Sequence, residues 1–246
     1  MDPLDNVIWH ALKTRHSRFA EIYGNAARFT PDVTLFAAFE GDPAEGYASL
    51  TTLASPEGVI RLFLESPYEE RQGWTHVAGA RVVQMIWDGE PERRTSLSGS
   101  ISTNAKTEGL ATNHHVEAEI VQLGAADSRE MMELTALTKP GPFEKRTHEL
   151  GTYLGIRREG KLIAITGERM KVPGFTEVSA VCTHPQHTGR GYARMLMNKV
   201  MQGIFDRGET PFLHVREGNA RAIELYERLG FRERKVVNLA VLRKQS

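Results

Sequence analysis

One stretch limits what this chain can fold into more than any other: Val181-Cys-Thr-His-Pro-Gln-His-Thr-Gly-Arg-Gly-Tyr-Ala193. A β-type run, Phe175–Thr183, leads into Gln186-x-x-Gly189-x-Gly191, which turns directly into a helical pattern over about 189–206. The first N–H groups of a helix have no intrahelical acceptor, and the helix dipole adds positive potential at that end. Glycine keeps bulky side chains away from this backbone, so the segment reads as a seat for a phosphate or pyrophosphate. Two other nucleotide loops do not fit it. The Gly-x-x-x-x-Gly-Lys-Ser/Thr pattern is absent, and a dinucleotide fingerprint needs a small residue where Arg194 stands.

The pattern around this loop is that of a mixed α+β unit. Val116–Leu123 reads as a strand, and Asp127-Ser-Arg-Glu130 as a capping box opening a helix to about Leu137. Thr152–Arg157, Leu162–Met170 and Phe175–Thr183 read as an antiparallel meander with a tight turn at Glu159-Gly160. After the glycine loop and its helix come a strand at 211–215, a helix at 219–229 closed by Gly230, and a last strand near 235–242. The N-terminal part is a smaller α+β unit. Leu4, Val7, Ile8, Ala11, Leu12 and Phe19 predict a helix over 4–22, and β-type runs follow at 33–39, 46–53, 59–64 and 80–87. The small polar stretch 96–107 reads as a linker, giving domains at 1–112 and 113–246.

Charge and composition narrow the function. Lys+Arg and Asp+Glu are 31 each, so no net field draws the molecule to nucleic acid. Residues 1–115 carry 10 basic and 15 acidic side chains and residues 116–246 carry 21 and 16, which places an anionic ligand on the C-terminal half. The single Cys182 excludes a disulfide framework, and no apolar run reaches the roughly 18 residues that a membrane span needs. The first residues lack a signal peptide's pattern, so a cytoplasmic protein is expected. Cys182 reads as a small buried hydrophobe on an apolar strand face, and His114-His115, His184 and His187 lack the partner spacing of a metal site, so no metal is expected.

With Gln186-x-x-Gly189-x-Gly191 followed by Asn219-Ala-Arg-Ala-Ile-Glu-Leu-Tyr-Glu-Arg-Leu-Gly-Phe231, the chain resembles the GNAT superfamily of acyl-CoA-dependent N-acetyltransferases over about 117–244. The resemblance implies a GNAT-like mixed sheet with flanking helices in the C-terminal half and acetyl-CoA as acyl donor. A primary amine on a small molecule or peptide would be the acceptor. It implies that Val181, Cys182 and Thr183 line the pantetheine arm, and that Gln186, His187, Thr188, Gly189, Arg190, Gly191, Tyr192 and Ala193 hold the pyrophosphate. Many relatives carry Arg where this chain has Thr188, a change expected to weaken a largely main-chain seat without abolishing it. Asn219 and Ala222 are expected beside the cofactor arm. The N-terminal half resembles a degenerate GNAT-like counterpart, as in glycine N-acyltransferase-like proteins.

Two residues carry the expected chemistry. Aminolysis of a thioester expels a thiolate that needs a proton; Tyr226, on the helix face of Asn219 and Ala222, is the candidate acid, as in GNAT relatives. An alkyl amine is mostly protonated at neutral pH and needs a base. Strand alternation puts Glu177, Ser179, Val181 and Thr183 on one face and Val178, Ala180 and Cys182 on the other, which makes Glu177 the candidate base. A CoA-binding module without catalysis, and more distantly a dinucleotide-dependent oxidoreductase, are the competing readings.

Overall fold

The computed structural model describes residues 2–89 and 119–245. The expected linker, the 112/113 boundary, His114-His115 and residues 116–118 lie outside them.

The N-terminal segment opens with helix α1 (Val7–Lys13), whose Val7, Ile8, Ala11 and Leu12 are buried. The predicted helix over 4–22 is shorter because the chain turns at His16, whose N–H bonds Ala11 C=O and whose ring docks on the Arg169 carbonyl at 2.8 Å. A single 3-10 turn, Ser17–Phe19, then leads into β1 (Ala20–Tyr23), which pairs antiparallel with β2 (Ala26–Phe29), and β2 with β3 (Ala37–Phe39). The run 46–53, expected as a strand, lies in helix α2 (Pro43–Leu53). Asp42 accepts the Glu45 N–H at 3.1 Å and Pro43 occupies the first turn, a helix-start pair that outweighs the β-type composition. Strands β4 (Val59–Leu64) and β5 (Trp74–Trp87) follow.

The C-terminal segment runs β6 (Ile120–Leu123), α3 (Ser128–Thr138), β7 (Tyr153–Arg158), β8 (Lys161–Val172), β9 (Phe175–Thr183), α4 (Tyr192–Asp206), β10 (Thr210–Arg216), α5 (Ala220–Arg228) and β11 (Phe231–Lys244). The expected capping box at Asp127 is not made. Its carboxylate instead accepts the Gly124 N–H and Arg157, and Glu130 also pairs with Arg157. The two segments share one eight-stranded sheet, ordered β4-β11-β5-β10-β9-β8-β7-β6. Strand β5 of the N-terminal segment runs antiparallel between β10 and β11, and only β9 and β10 pair in parallel.

Helices α4 and α5 cover one face, where Met197, Val200, Ile204 and Tyr226 pack on Val83, Met85, Val178, Leu213 and Val215. The opposite face carries α1 against Met170, Val172 and Phe212, and α3 against Ile165, Ala180 and Cys182. Among the described residues no helix is long and apolar enough to cross a membrane, and no group of three His, Cys, Asp or Glu side chains could hold a metal ion.

Candidate active site

Strands β9 and β10 share only three register pairs, ending at Phe212↔Glu177, and then part. From Val178 onward the β10-facing edge of β9 has no strand partner, while β10 continues its ladder with β5 to Arg216↔Val82. On its other side β9 slips one residue against β8: Gly167 pairs with Ser179 and Ile165 with Cys182. Ala180 absorbs the extra residue at φ 54°, a left-handed conformation that costs a non-glycine residue about 1 kcal/mol. This bulge breaks the expected alternation. Val178, expected on the face of Ala180 and Cys182, instead joins Val181 toward α4–α5, whereas Ala180 and Cys182 pack toward α3.

A cavity of about 300 Å³ fills the gap and joins the two faces of the sheet. From the α4–α5 side it is lined by Val178, Val181, Asn219, Ala222 and Tyr226; from the other by Phe36, Phe63, Arg169, His214, Leu239 and the turn Lys139–Pro142. Cys182 and Thr183 complete the β9 wall. Asn219 caps α5 by accepting the Ala222 N–H at 3.3 Å, which fixes the helix face that presents Ala222 and Tyr226. The Tyr226 hydroxyl has no hydrogen-bond partner among the described residues, and burial, with Cys182 nearby, pushes its pKa up to about 12. Burial likewise pushes the Cys182 thiol up to about 11 despite its bonds to Thr138 and Ile165, so it is not a ready nucleophile.

Gln186 to Ala193 lie past the end of β9 and outside the cavity wall. Pro185–His187 forms a single 3-10 turn, Gly189 and Gly191 take φ of 78° and 80°, and α4 makes its first backbone bond from Met195 N–H to Gly191 C=O. The N–H groups of Tyr192, Ala193 and Arg194 precede that bond, and a Cβ at either glycine would meet nothing within 4 Å. The seat is therefore open, with main-chain donors at a helix start.

Glu177 departs from expectation. It is fully buried, and both oxygens are held by Arg169, at 2.9 Å (Nε) and 2.6 Å (Nη2). One also accepts the Met170 N–H, the other the His214 ring at 2.7 Å. Burial would raise its pKa, but Arg169 and His214 outweigh this and hold the carboxyl far below the usual carboxylate range. A carboxylate so engaged has no free lone pair directed at an amine and little affinity for its proton; its observed contacts are those of an anchor for Arg169 and His214, which differs from the free strand carboxylate that the sequence suggests.

Five residues that sequence reasoning passed over, Phe36, Phe63, Gln84, Arg169 and His214, meet at the closed end of the gap. His214 stacks on Phe63 with centroids 4.5 Å apart, and its Nε2 accepts from the Gln84 amide, which also donates to Leu4 C=O. Arg169 lies over the Phe36 ring at 4.9 Å. The signal for Arg169 was an arginine just past the apolar run 162–165, eight residues before a glutamate on the next strand.

Comparison with known proteins agrees with this geometry. Residues 153–239 match the model of the FR47-like protein family. Over 129 residues, 47% of this chain and 80% of the relative, the sequence is 33% identical to the N-alpha-acetyltransferase RimI of Mycobacterium tuberculosis. An acetyltransferase of the GNAT family from Novosphingobium aromaticivorans is similar over 100% of both chains, at 34% identity and a TM-score of 0.83. The chain belongs to the GNAT family. It is an acetyltransferase with the GNAT mixed sheet. A GCN5-related N-acetyltransferase from Kribbella flavida shares the fold across 98% of this GNAT chain and 94% of its own, at 16% identity and a TM-score of 0.59.

Proposed function

We propose that this protein transfers an acetyl group from acetyl-CoA to a primary amine by direct attack, without an acyl-enzyme. The observation that carries the reading is the gap between β9 and β10, open to both faces of the sheet, with an anion seat at one end and a phenol in its wall. The donor enters from the α4–α5 face: Gln186 to Ala193 receive the pyrophosphate on main-chain N–H groups, and the unpaired edge of β9 from Val178 to Thr183 hydrogen-bonds the pantetheine arm. Asn219 and Ala222 close the other side of that arm. Acetyl-CoA supplies the activated acyl group that the amine attacks.

Tyr226 stays protonated across the working pH range, because its pKa is pushed up to about 12, and donates its hydrogen to the sulfur as the C–S bond breaks. Glu177 holds Arg169 and His214 in place, and the amine's proton leaves through water in the cavity. A positive wall helps, since nearby cations favour the neutral, nucleophilic amine over ammonium. The N-terminal segment is proposed to be a degenerate counterpart that covers the acceptor side. Its strand-to-helix loop after β3, Glu40-Gly41-Asp42, is acidic and already capped by Asp42, so it offers no seat for phosphate. Action in the cytoplasm is part of the same proposal.

Calorimetric titration with acetyl-CoA and free CoA, followed by mass analysis of an amine panel, tests the function. Saturable binding and a product heavier by one acetyl group are expected. Absence of CoA binding overturns the assignment, while tight binding with no acetylated product leaves a CoA-binding module.

A further inference from the structure

The acceptor side of the cavity has an unusual electrostatic make-up. Its wall of Phe36, Phe63, Leu239, Arg169, His214 and Lys139 is apolar or basic, and among the described residues no Asp or Glu lines the cavity. Arg169 is only 5% exposed, yet only two of its three nitrogens are used: Nε and Nη2 hold Glu177, while Nη1 has no partner among the described residues. That free nitrogen lies under the Lys139–Pro142 turn, 4.0 Å from where a Gly141 Cβ would stand. Lys139 makes no ion pair among the described residues. It holds φ 52° at the end of α3, a position where glycine is the usual choice. Because Glu177 already neutralises Arg169, Lys139 is the uncompensated charge of this wall.

We propose that the acceptor is a small amine that also carries a carboxylate, with an apolar side chain: a free amino acid of the leucine or phenylalanine kind. The inference rests on the acetyltransferase reading above and names its substrate class. The carboxylate would sit between Arg169 Nη1 and Lys139, and the apolar side chain against Phe36, Phe63 and Leu239. Pairing the carboxylate also removes the charge that holds the neighbouring ammonium protonated, so binding itself releases a better nucleophile. Polycationic acceptors are disfavoured for the converse reason: no carboxylate waits for them.

The test compares L-leucine, leucinamide, isoamylamine, spermidine and an alanyl peptide as acceptors at fixed acetyl-CoA. The wild-type kcat/KM for leucine is expected to exceed that for leucinamide and isoamylamine by about tenfold or more, the value of one charge-assisted contact. The exposed Lys139→Ala change should collapse the leucine-to-isoamylamine ratio, and Arg169→Lys should lower it if that variant folds. Equal or better turnover of leucinamide, spermidine or the peptide overturns the proposal, as does an unchanged ratio in Lys139→Ala. Binding of N-acetyl-leucine against N-acetyl-leucinamide, measured on the protein without acetyl-CoA, separates the two readings. Preference for the acid form in a protein that fails to bind CoA would sink the acetyltransferase chemistry and keep the carboxylate site; no preference would sink the site alone.

Discussion

Replacing Glu177 by Gln tests whether this carboxylate anchors or catalyses. The change keeps size and shape, and its amide oxygen can still accept from His214. It places an NH2 against the Arg169 guanidinium and leaves that cation, 5% exposed, without its counter-charge. Breaking one partner out of a buried ion pair costs about 3–5 kcal/mol. For a chain of this size each kcal/mol moves Tm by about 2–4 °C, so a fall of about 10 °C is expected in differential scanning calorimetry. Removing both charges, in Glu177→Gln with Arg169→Met, should recover most of the loss, because an apolar replacement of the whole pair is close to neutral. The pH dependence has a definite sign. The folded carboxyl ionises below its unfolded counterpart, so its stabilisation is fully present above the ordinary carboxylate pKa and is lost as pH falls below it. That part of the acid limb should vanish in Glu177→Gln. A variant with unchanged Tm and unchanged acid limb, but with turnover down a hundredfold, would refute the anchoring argument and restore Glu177 as the base.

Two further outcomes follow from groups on either side of the sheet. Tyr226→Phe should lower kcat by about 10²–10³-fold with little change in acetyl-CoA affinity, read by steady-state kinetics and calorimetry; equal turnover would exclude the phenol as proton donor. His16 is buried between the Arg169 carbonyl and the Lys171 N–H, and burial, against the pull of that carbonyl, lowers its pKa to about 4. The unfolded chain therefore takes up a proton near pH 6.5 while the folded one does not. Stability should drop by about 2 kcal/mol between pH 7 and 5 in urea titrations, and His16→Gln should flatten that drop.

Much of the C-terminal half could be read from its residues. The glycine loop, the Asn219 cap and the Ala222–Tyr226 face rest on local rules, and each element formed within a few residues of its expected limits. The readings that failed depended on partners distant in the chain. His16 stops α1 by docking on Arg169, 153 positions away. The bulge at Ala180 turns on how β9 meets β8, and a strict two-residue period cannot foresee it. Glu177 looked like a free strand carboxylate because nothing in its own strand announces Arg169 or His214. The helix at Pro43 is a different case: Asp42-Pro43 was a legible start signal that an apolar run obscured.

The position of β5 also dictates how the chain can be made. β11 runs beside both β4 and β5, from Lys244↔Trp74 to Phe231↔Trp87. During synthesis the N-terminal segment therefore emerges with two strands lacking their common neighbour, and it keeps open edges until β11 leaves the ribosome. Pairs this distant in sequence close late and slowly. A nascent chain stalled before Phe231 would be a sticky, unfinished sheet rather than a finished first module, and removing β11 should cost both segments their fold together.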